Sequence, residues 1–148
     1  MQTGCSLAAS SAELHNIGRD GIDDVWPFVL PFIEQAMDRS HYDKPEDVYI
    51  ALDKGTAQLW LAAKGGDIEA VCVTQIQFNA RGADCSIWIC TGHDRQEWQH
   101  HLAEIENWAK HEGCTVMRHM ARPGWARVLK PMGYRMSHVL LEKELQDV

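Results

Sequence analysis

Three strand-like runs in succession, followed by one amphipathic helix, constrain the fold of this chain more than any other feature. The runs cover residues 58–64, 68–78 and 85–91. Gly-Gly-Asp separates the first pair and Asn-Ala-Arg-Gly-Ala-Asp the second, and such segments are typical of hairpin turns. Because parts of these runs are apolar at consecutive positions, we expect a sheet that helices cover.

The amphipathic helix is predicted over residues 94–112, beginning at Asp94 and ending before Gly113. Its apolar residues recur at intervals of three and four positions, so they form one buried stripe. The stripe consists of Trp98, Leu102, Ile105 and Ala109. We therefore expect the Trp98 side chain to anchor the first turn of this helix in the core.

Weaker patterns on either side complete an α/β (α+β) domain with a mixed sheet, in the order β-α-α-β-β-β-α-β-α-β. Asp20 is expected to cap the first helix, and Pro27 and Pro31 to kink it or shift its start. Pro45 opens the second helix and Gly55 closes it. The other predicted elements are a strand at 14–17, helices at 21–39, 45–54 and 123–130, and strands at 114–120 and 134–145.

The composition, 45% hydrophobic and 24% charged, is that of a globular protein. We predict one domain over residues 1–148, with an N-terminal extension at 1–12. The N-terminus lacks the basic region of a secretory signal, and no apolar stretch approaches the roughly 18 residues of a membrane helix. Five cysteines without a Cys-x-x-Cys motif favour free thiols in a reducing compartment, which predicts a cytoplasmic protein.

The charge is unevenly distributed along the chain. Residues 1–112 carry 18 acidic and 8 basic side chains, whereas residues 113–148 carry 3 acidic and 6 basic ones. The basic part is either a solvated helix and turn or a docking face for an acidic protein, a second copy or nucleic acid. Nucleic acid is only weakly supported by five cations without a nucleic-acid motif, which are Arg118, Arg122, Arg127, Lys130 and Arg135. The interaction surface predicted here consists of Arg118, Trp125, Arg122, Arg127 and Lys130.

The C-terminal half contains the most specific local patterns, Trp-Ala-Lys-His-Glu-Gly-Cys at 108–114 and Leu-Lys-Pro-Met-Gly-Tyr at 129–134. From Leu14 to Leu145 the chain resembles the GCN5-related N-acetyltransferase (GNAT) fold. The resemblance implies a mixed, mostly antiparallel central sheet flanked by about four helices. The chain also looks like small GNAT-like proteins encoded by bacteriophages, through its GC and GW…GY pattern, which would place it in the host cytoplasm or the virion.

In GNAT enzymes the acetyl-CoA diphosphate binds where the long helix begins, on a loop of the form R/Q-x-x-G-x-G/A, because free backbone amides attract the anion. Counting back from Gly113 places that loop on His93, Asp94, Arg95, Gln96, Glu97 and Trp98. Gln96 and Trp98 replace the two small residues. Asp94 and Glu97 match a capping box, which would put two carboxylates at the positive end of the helix.

The resemblance also implies catalytic positions. The tyrosine that acts as general acid in many GNAT enzymes corresponds to Leu129, and Tyr134 stands where an aromatic residue packs. Leucine cannot transfer a proton. Glu69 on the central strand is a weak candidate for the general base, and alternation along a strand leaves the direction of its side chain open.

The eight histidines and the cysteines suggest two further kinds of site. His93, His100 or His101 with Glu97 or Glu104 have spacings that allow convergence on a metal ion, but no metal motif occurs, and an exposed polar helix face is favoured. We predict no metal. Cys90 with His93 and Cys114 with His119 are conceivable nucleophile pairs, and buried structural cysteines are the favoured alternative.

Two functions follow from these patterns. The first is a GNAT-fold protein without a cofactor that works through its surfaces, as a phage accessory, assembly or virion component binding a protein partner or itself. The second is an acetyl-CoA-dependent N-acetyltransferase acting on an amine. In that case Arg95 and His93 would hold phosphate, and Glu69 would be the base.

Overall fold

The computed structural model describes residues 12–37 and 43–146. Its centre is one five-stranded sheet in the order β1-β2-β3-β4-β5. The first three pairings are antiparallel and β4 pairs with β5 in parallel, so the mixed, mostly antiparallel sheet is confirmed. The strands are β1 Glu13–Ile17, β2 Ala57–Lys64, β3 Asp67–Asn79, β4 Gly82–Gly92 and β5 Cys114–His119.

In the described part of the chain four α-helices flank the sheet, as expected. They are α1 Ile22–Met37, α2 Pro45–Lys54, α3 Leu102–His111 and α4 Pro123–Leu129. Short 3-10 turns precede α1, join β4 to α3 and follow α4, at Arg19–Gly21, Arg95–Glu97, Gln99–His101 and Lys130–Met132. Within the described residues no helix is long and apolar enough to cross a membrane.

Alternation along the strands divides the core into two layers. Val71, Val73 and Ile89 point to one face and pack against α1 and α2. Cys72 points to the other face, where α3 and α4 cover it. Ile87 lies on that face as well, although it is two positions from Ile89, because the register of β4 against β3 shifts between these two residues. The sheet is therefore buried on both sides, as its doubly apolar strands predict.

The helix boundaries predicted from capping residues and prolines are confirmed in part. Gly55 and Gly113 end α2 and α3 in left-handed conformations, with φ of +79° and +93°, as their sequence positions predict. Asp20 does not cap α1, because Gly18 holds the cap position of the preceding 3-10 turn. α1 is continuous through Pro27 and Pro31, and residues 38–39 of its predicted span lie outside the described part.

Two predicted elements are wrong. The long helix does not begin at Asp94, because two 3-10 turns occupy residues 95–101 and α3 starts only at Leu102. The last strand, predicted at 134–145, is not part of the sheet, and residues 134–146 contain neither strand nor helix. β5 is consequently a sheet edge. Alternating apolar residues indicate an extended segment, but they do not supply the strand with which it must pair.

Candidate functional site

The predicted coenzyme loop, residues 93–98, begins where the end of β4 lies close to β3. A Cβ added to Gly92 would lie 2.6 Å from Ala70 Cβ and closer still to the Glu69 carbonyl oxygen. The His93 amide donates to that same oxygen at 2.8 Å. The β2–β3 register shifts beside Glu69, between the partners of Ala62 and Ala63. Gly92 thus serves strand packing, and the Glu69 backbone fixes the start of the loop. The Glu69 side chain itself is half-buried.

The capping box predicted for Asp94 and Glu97 is wrong. Asp94 has φ +46° and ψ 66°, and its side chain makes no capping hydrogen bond. A capping residue needs an extended backbone to aim its carboxylate at the following amides, and the left-handed conformation removes that geometry. The Glu97 side chain instead lies 4.0 Å from Lys64 Nζ on β2.

The backbone amides of this loop bond mainly within the loop. The Glu97 amide donates to the Asp94 carbonyl at 2.8 Å, and the Trp98 amide to the Arg95 carbonyl at 3.1 Å. Just after the loop, the His101 amide donates to the Trp98 carbonyl at 2.9 Å. A diphosphate cradle depends on several amides that have no other acceptor, and within residues 93–98 the amides of His93, Glu97 and Trp98 are already paired.

Trp98 occupies the interior of the segment. Its side chain is buried among Ala12, Ala62 and Ala70, as the helical stripe predicts. Its Nε1 donates to the His93 carbonyl oxygen at 2.7 Å. The indole therefore ties the end of the loop to its beginning and fills the space that a glycine would leave open.

The basic side chains of the loop are exposed but already engaged. Arg95 Nε donates to Gln99 Oε1 at 3.2 Å, and the guanidinium carbon lies 5.9 Å from the centre of the Trp125 ring. The His93 ring lies 5.3 Å from the Phe32 ring. Gln96 is exposed. Together with the exposed Asp94 carboxylate, these contacts do not form a cradle that fits the diphosphate of acetyl-CoA.

In the strand that leads into the loop, β4 pairs with β5 only up to Ile87 and His119. The last five residues of β4 therefore have no β5 partner. The His119 ring packs 5.3 Å from the Trp125 ring, at the point where the strands separate. Its Nδ1 is buried and makes no hydrogen bond to any of the described residues. Burial lowers the pKa of His119 to about 4, so the imidazole is neutral at pH 7.

The cysteines suit packing better than nucleophilic catalysis. Cys72 and Cys90 face each other on adjacent strands, and the Cys90 thiol together with burial raises the pKa of Cys72. Burial and the neighbouring Asp84 raise the pKa of Cys114. A thiol with a raised pKa is a poor nucleophile at neutral pH. Cys5 lies outside the described residues.

Of the two adjacent histidines that precede α3, His101 has a structural role. His101 is buried, contrary to the expected exposed helix face, and its Nε2 donates to the Ala12 carbonyl at 2.7 Å. Its Nδ1 lies 2.6 Å from Glu104 Oε1. His100 points to solvent. In the part of the chain that the structure describes, no group of three or more His, Cys, Asp or Glu side chains is arranged to hold a metal ion.

A small gap of about 20 Å³ lies between the sheet and α3, with apolar lining from Trp60, Cys90, Trp98 and Leu102 among others. This volume has room for about one water molecule. It is therefore a packing defect of the core, and it is far too small for the acyl arm of a coenzyme.

The predicted general-acid position is also apolar. Leu129, the last residue of α4, is buried. Tyr134 packs against the same core, and its hydroxyl donates to Glu106 Oε2 at 2.7 Å. Burial and the Glu106 carboxylate both raise the pKa of Tyr134. The Glu106–Tyr134 pair was not predicted, since no local motif links residues 28 positions apart.

The five residues of the predicted interaction surface differ in their environment. Arg122, Arg127 and Lys130 are exposed. Arg118 Nε donates to the buried Asp84 at 3.1 Å, so this half-exposed arginine already has an ion-pair partner in its own chain. Trp125 is half-buried between the rings of Trp98 and His119, and it is not the exposed anchor that its sequence position suggested.

Comparisons with known proteins identify the fold. No protein-family model matches the chain, and no curated protein matches its sequence. Among solved structures, an aminoglycoside acetyltransferase from an uncultured soil metagenomic sample matches with a TM-score of 0.71 and 10% identity, covering 92% of this chain and 99% of that one. A predicted acetyltransferase from Clostridium acetobutylicum with acetyl-CoA matches with a TM-score of 0.68 and 14% identity, covering 90% and 96%.

A ribosomal-protein-alanine N-acetyltransferase from Brucella melitensis matches with a TM-score of 0.65 and 11% identity, covering 93% of this chain and all of that one. A transcriptional regulator from Bacillus halodurans also matches, with a TM-score of 0.65 and 15% identity. The chain therefore has the GNAT fold. Identities at this level show the fold alone, so function has to be argued from the site.

Proposed function

We propose that this protein is a GNAT-fold protein that does not bind acetyl-CoA on the 93–98 loop and acts through its surfaces. The observation that carries the proposal is the buried Trp98 indole, which bonds to the His93 carbonyl inside the loop. For a diphosphate to enter, this indole would have to leave the core and break that bond. Removing a buried large aromatic side chain from a core costs about 3–5 kcal/mol.

Two further features support the same conclusion. The amides of Glu97 and Trp98 already donate to loop carbonyls, and the left-handed Asp94 presents a carboxylate to solvent where the diphosphate would lie. A like charge at this point opposes anion binding. Arg95 offsets this only partly, because its guanidinium bonds Gln99 and lies over Trp125.

The test is the thermal stability of the protein with and without acetyl-CoA. A ligand at 100 times its Kd stabilises the native state by about 2.7 kcal/mol, which raises the melting temperature. We expect no change at millimolar acetyl-CoA, for the native chain and for Arg95→Ala alike. A rise in the native chain that Arg95→Ala abolishes would overturn the proposal, since it would place the phosphate on this loop.

An acetyl-CoA-dependent N-acetyltransferase is the second candidate. It is favoured by solved structures of acetyltransferases that align over nine-tenths of the chain, one of them with acetyl-CoA. In this alternative the exposed His93 and Arg95 would contact phosphate, and Glu69 would accept the proton of an amine. Release of free CoA thiol in the presence of polyamine, aminoglycoside and peptide amines, absent in Glu69→Gln, would establish it.

A phage accessory, assembly or virion role is the finer form of the first proposal. Its support is the GC and GW…GY pattern together with the uneven charge of the chain. We infer that a protein partner or a second copy is bound, with nucleic acid a weaker alternative. Electrophoretic mobility of DNA and RNA fragments at physiological salt tests that alternative, and we expect no retardation.

A further inference from the structure

Two free cysteines lie side by side on β3 and β4, close to the 93–98 loop. Cys72 and Cys90 are directly opposite each other in the antiparallel register of the two strands. Both line the gap of about 20 Å³ that also touches Trp98. Cys72 is buried, whereas Cys90 is half-buried. One member of the pair is therefore open to small reagents, and the gap leaves room for the sulfur atoms to move.

The hydrogen-bond pattern of the two strands gives this pair the geometry of a disulfide. The His93 amide donates to the Glu69 carbonyl at 2.8 Å, so these opposite residues form a hydrogen-bonded pair. The two kinds of pair alternate along an antiparallel ladder, which makes Cys72 and Cys90, three positions further along, a non-hydrogen-bonded pair. The Cα atoms of such a pair are about 4.5 Å apart, within the range of about 4.4–6.8 Å found in disulfides.

The two thiols also interact with each other. The Cys72 thiol donates a hydrogen bond to Cys90, and this bond together with burial raises the pKa of Cys72. Cys72 therefore keeps its proton at neutral pH, and the half-buried Cys90 is the member of the pair that an oxidant reaches first.

The other pair of neighbouring cysteines does not have this geometry. Cys85 and Cys114 belong to one core cluster, but Cys114 is opposite Ala83 and Cys85 is opposite Met117. An offset of two residues along a strand is about 6.6 Å, in addition to the spacing of about 4.8 Å between strands. The Cα atoms are then more than about 7 Å apart, which is too far for a disulfide.

The position of Cys90 gives a bond at this point a structural effect. The last five residues of β4 have no β5 partner, and Cys90 is the middle one of these five. Within the described residues this end of β4 pairs with β3 alone. A covalent bond from Cys90 to β3 would therefore fix the part of β4 from which the 93–98 loop starts.

We propose that Cys72 and Cys90 are a reversible redox site, at which hydrogen peroxide or an organic hydroperoxide converts the two thiols into a cross-strand disulfide. In a reducing compartment such a bond is transient and reports an oxidant. The proposal does not depend on whether acetyl-CoA binds, since it involves the two strands and no ligand of the loop.

The reaction has two steps. Cys90 Sγ attacks one oxygen of the peroxide, the O–O bond breaks, and Cys90 becomes a sulfenic acid while water, or an alcohol from an organic hydroperoxide, leaves. Cys72 Sγ then attacks Cys90 Sγ, so that the S–S bond forms, the S–O bond breaks and a water molecule leaves. The two sulfur atoms lose two electrons in total, the peroxide gains them, and the two thiol protons end in the released products.

The experiment treats the folded protein with one equivalent of hydrogen peroxide, blocks the remaining thiols by alkylation, and measures intact mass and linked peptides. We expect the native protein to lose two hydrogen atoms, to contain one linkage between residues 72 and 90, and to recover both thiols with dithiothreitol. Cys72→Ala and Cys90→Ala should each abolish the linkage. The matched control Cys85→Ala removes another buried cysteine of β4 and should form the bridge as the native protein does.

Circular dichroism verifies that each variant is folded, and Cys90→Ala, at the half-buried position, keeps the test valid if Cys72→Ala does not fold. In concentrated urea the strand register is lost, so the five thiols should link in several combinations. The same mixture from the folded protein would overturn the proposal. Five thiols that survive the peroxide, a linkage to Cys5 or Cys114, or oxygen added to Cys90 while Cys72 stays free would also overturn it.

Discussion

Trp98 Nε1 donates a 2.7 Å hydrogen bond to the carbonyl oxygen of His93, five residues earlier in the chain. This bond closes the loop between β4 and α3 on itself, and the indole that makes it is 95% buried. In GNAT enzymes the backbone amides at the start of the long helix face an anion. In this protein the same position is a turn that the Trp98 side chain fills. The loop therefore contributes to stability, and several consequences can be measured.

Replacing Trp98 should be strongly destabilising. Trp98→Ala removes a buried aromatic side chain and its hydrogen bond, so we expect the free energy of unfolding to fall by about 3–5 kcal/mol. Trp98→Phe keeps most of the apolar volume and should cost about 1–2 kcal/mol, mainly through the lost bond to His93. Urea denaturation followed by fluorescence of the other tryptophans measures both. Gln96→Ala, at an exposed position of the same loop, should be nearly neutral, and a small effect of Trp98→Ala would mean that the indole is not a core residue.

Gly92 should tolerate no side chain. An added Cβ would meet Ala70 Cβ at 2.6 Å and the Glu69 carbonyl oxygen at a shorter distance, and both belong to the paired strand β3. Because backbone cannot yield as a flexible side chain does, Gly92→Ala should destabilise the fold by about 1–3 kcal/mol. Gly124→Ala is the matched control, since nothing lies within 4 Å of its added Cβ. Thermal unfolding of the two variants should differ clearly, and equal melting temperatures would contradict the described packing of β4 on β3.

Much of this fold could be predicted from the sequence, because each strand pattern is local. The runs at 58–64 and 68–78 match Ala57–Lys64 and Asp67–Asn79, within one residue at each end. The buried stripe from Trp98 to Ala109 was also correct. The predicted start of α3 was wrong. A 3-10 turn precedes the helix and also points Trp98 inward, and it leaves Asp94 without the backbone geometry of a capping residue.

The rest depends on contacts between distant residues, which periodicity does not encode. His101 is buried because Ala12, 89 positions away, supplies a carbonyl acceptor. Tyr134 is held by Glu106 across 28 positions. The C-terminal segment has the alternation of a strand, yet no described strand of its own chain pairs with it. An alternating pattern indicates that a segment can form a strand, and the segment becomes one only where another strand pairs with it.

Arg118 should matter for stability more than the other cations of the basic region. Its Nε donates to Asp84, which is 7% exposed and whose other cationic partner, Arg81, lies at 3.5 Å. Arg118→Ala leaves this buried carboxylate poorly satisfied, so we expect a loss of about 1 kcal/mol, limited by the partial exposure of the arginine. Arg127→Ala, on the exposed face of α4, should change stability by less than about 0.5 kcal/mol. Chemical denaturation compares the two, and equal effects would mean that the Asp84–Arg118 pair contributes nothing.

His119 should make stability depend on pH below neutrality. Its pKa is lowered by burial from 6.5 to about 4 in the folded protein, so the unfolded chain binds more protons between these values. Stability from this residue is therefore fully present above pH 6.5 and is lost as the pH falls toward 4. The shift corresponds to a contribution on the order of 1–3 kcal/mol.

The measurement is the free energy of unfolding at pH 7.5 and pH 4.5 for the native chain and for His119→Gln, which cannot acquire the charge. We expect the native chain to lose more stability than the variant over this interval, because only the native chain must bury or expel an imidazolium beside Trp125. His100→Gln, at an exposed position, should follow the native chain. If His119→Gln loses as much stability as the native protein, the buried Nδ1 of His119 has a partner or a route to water.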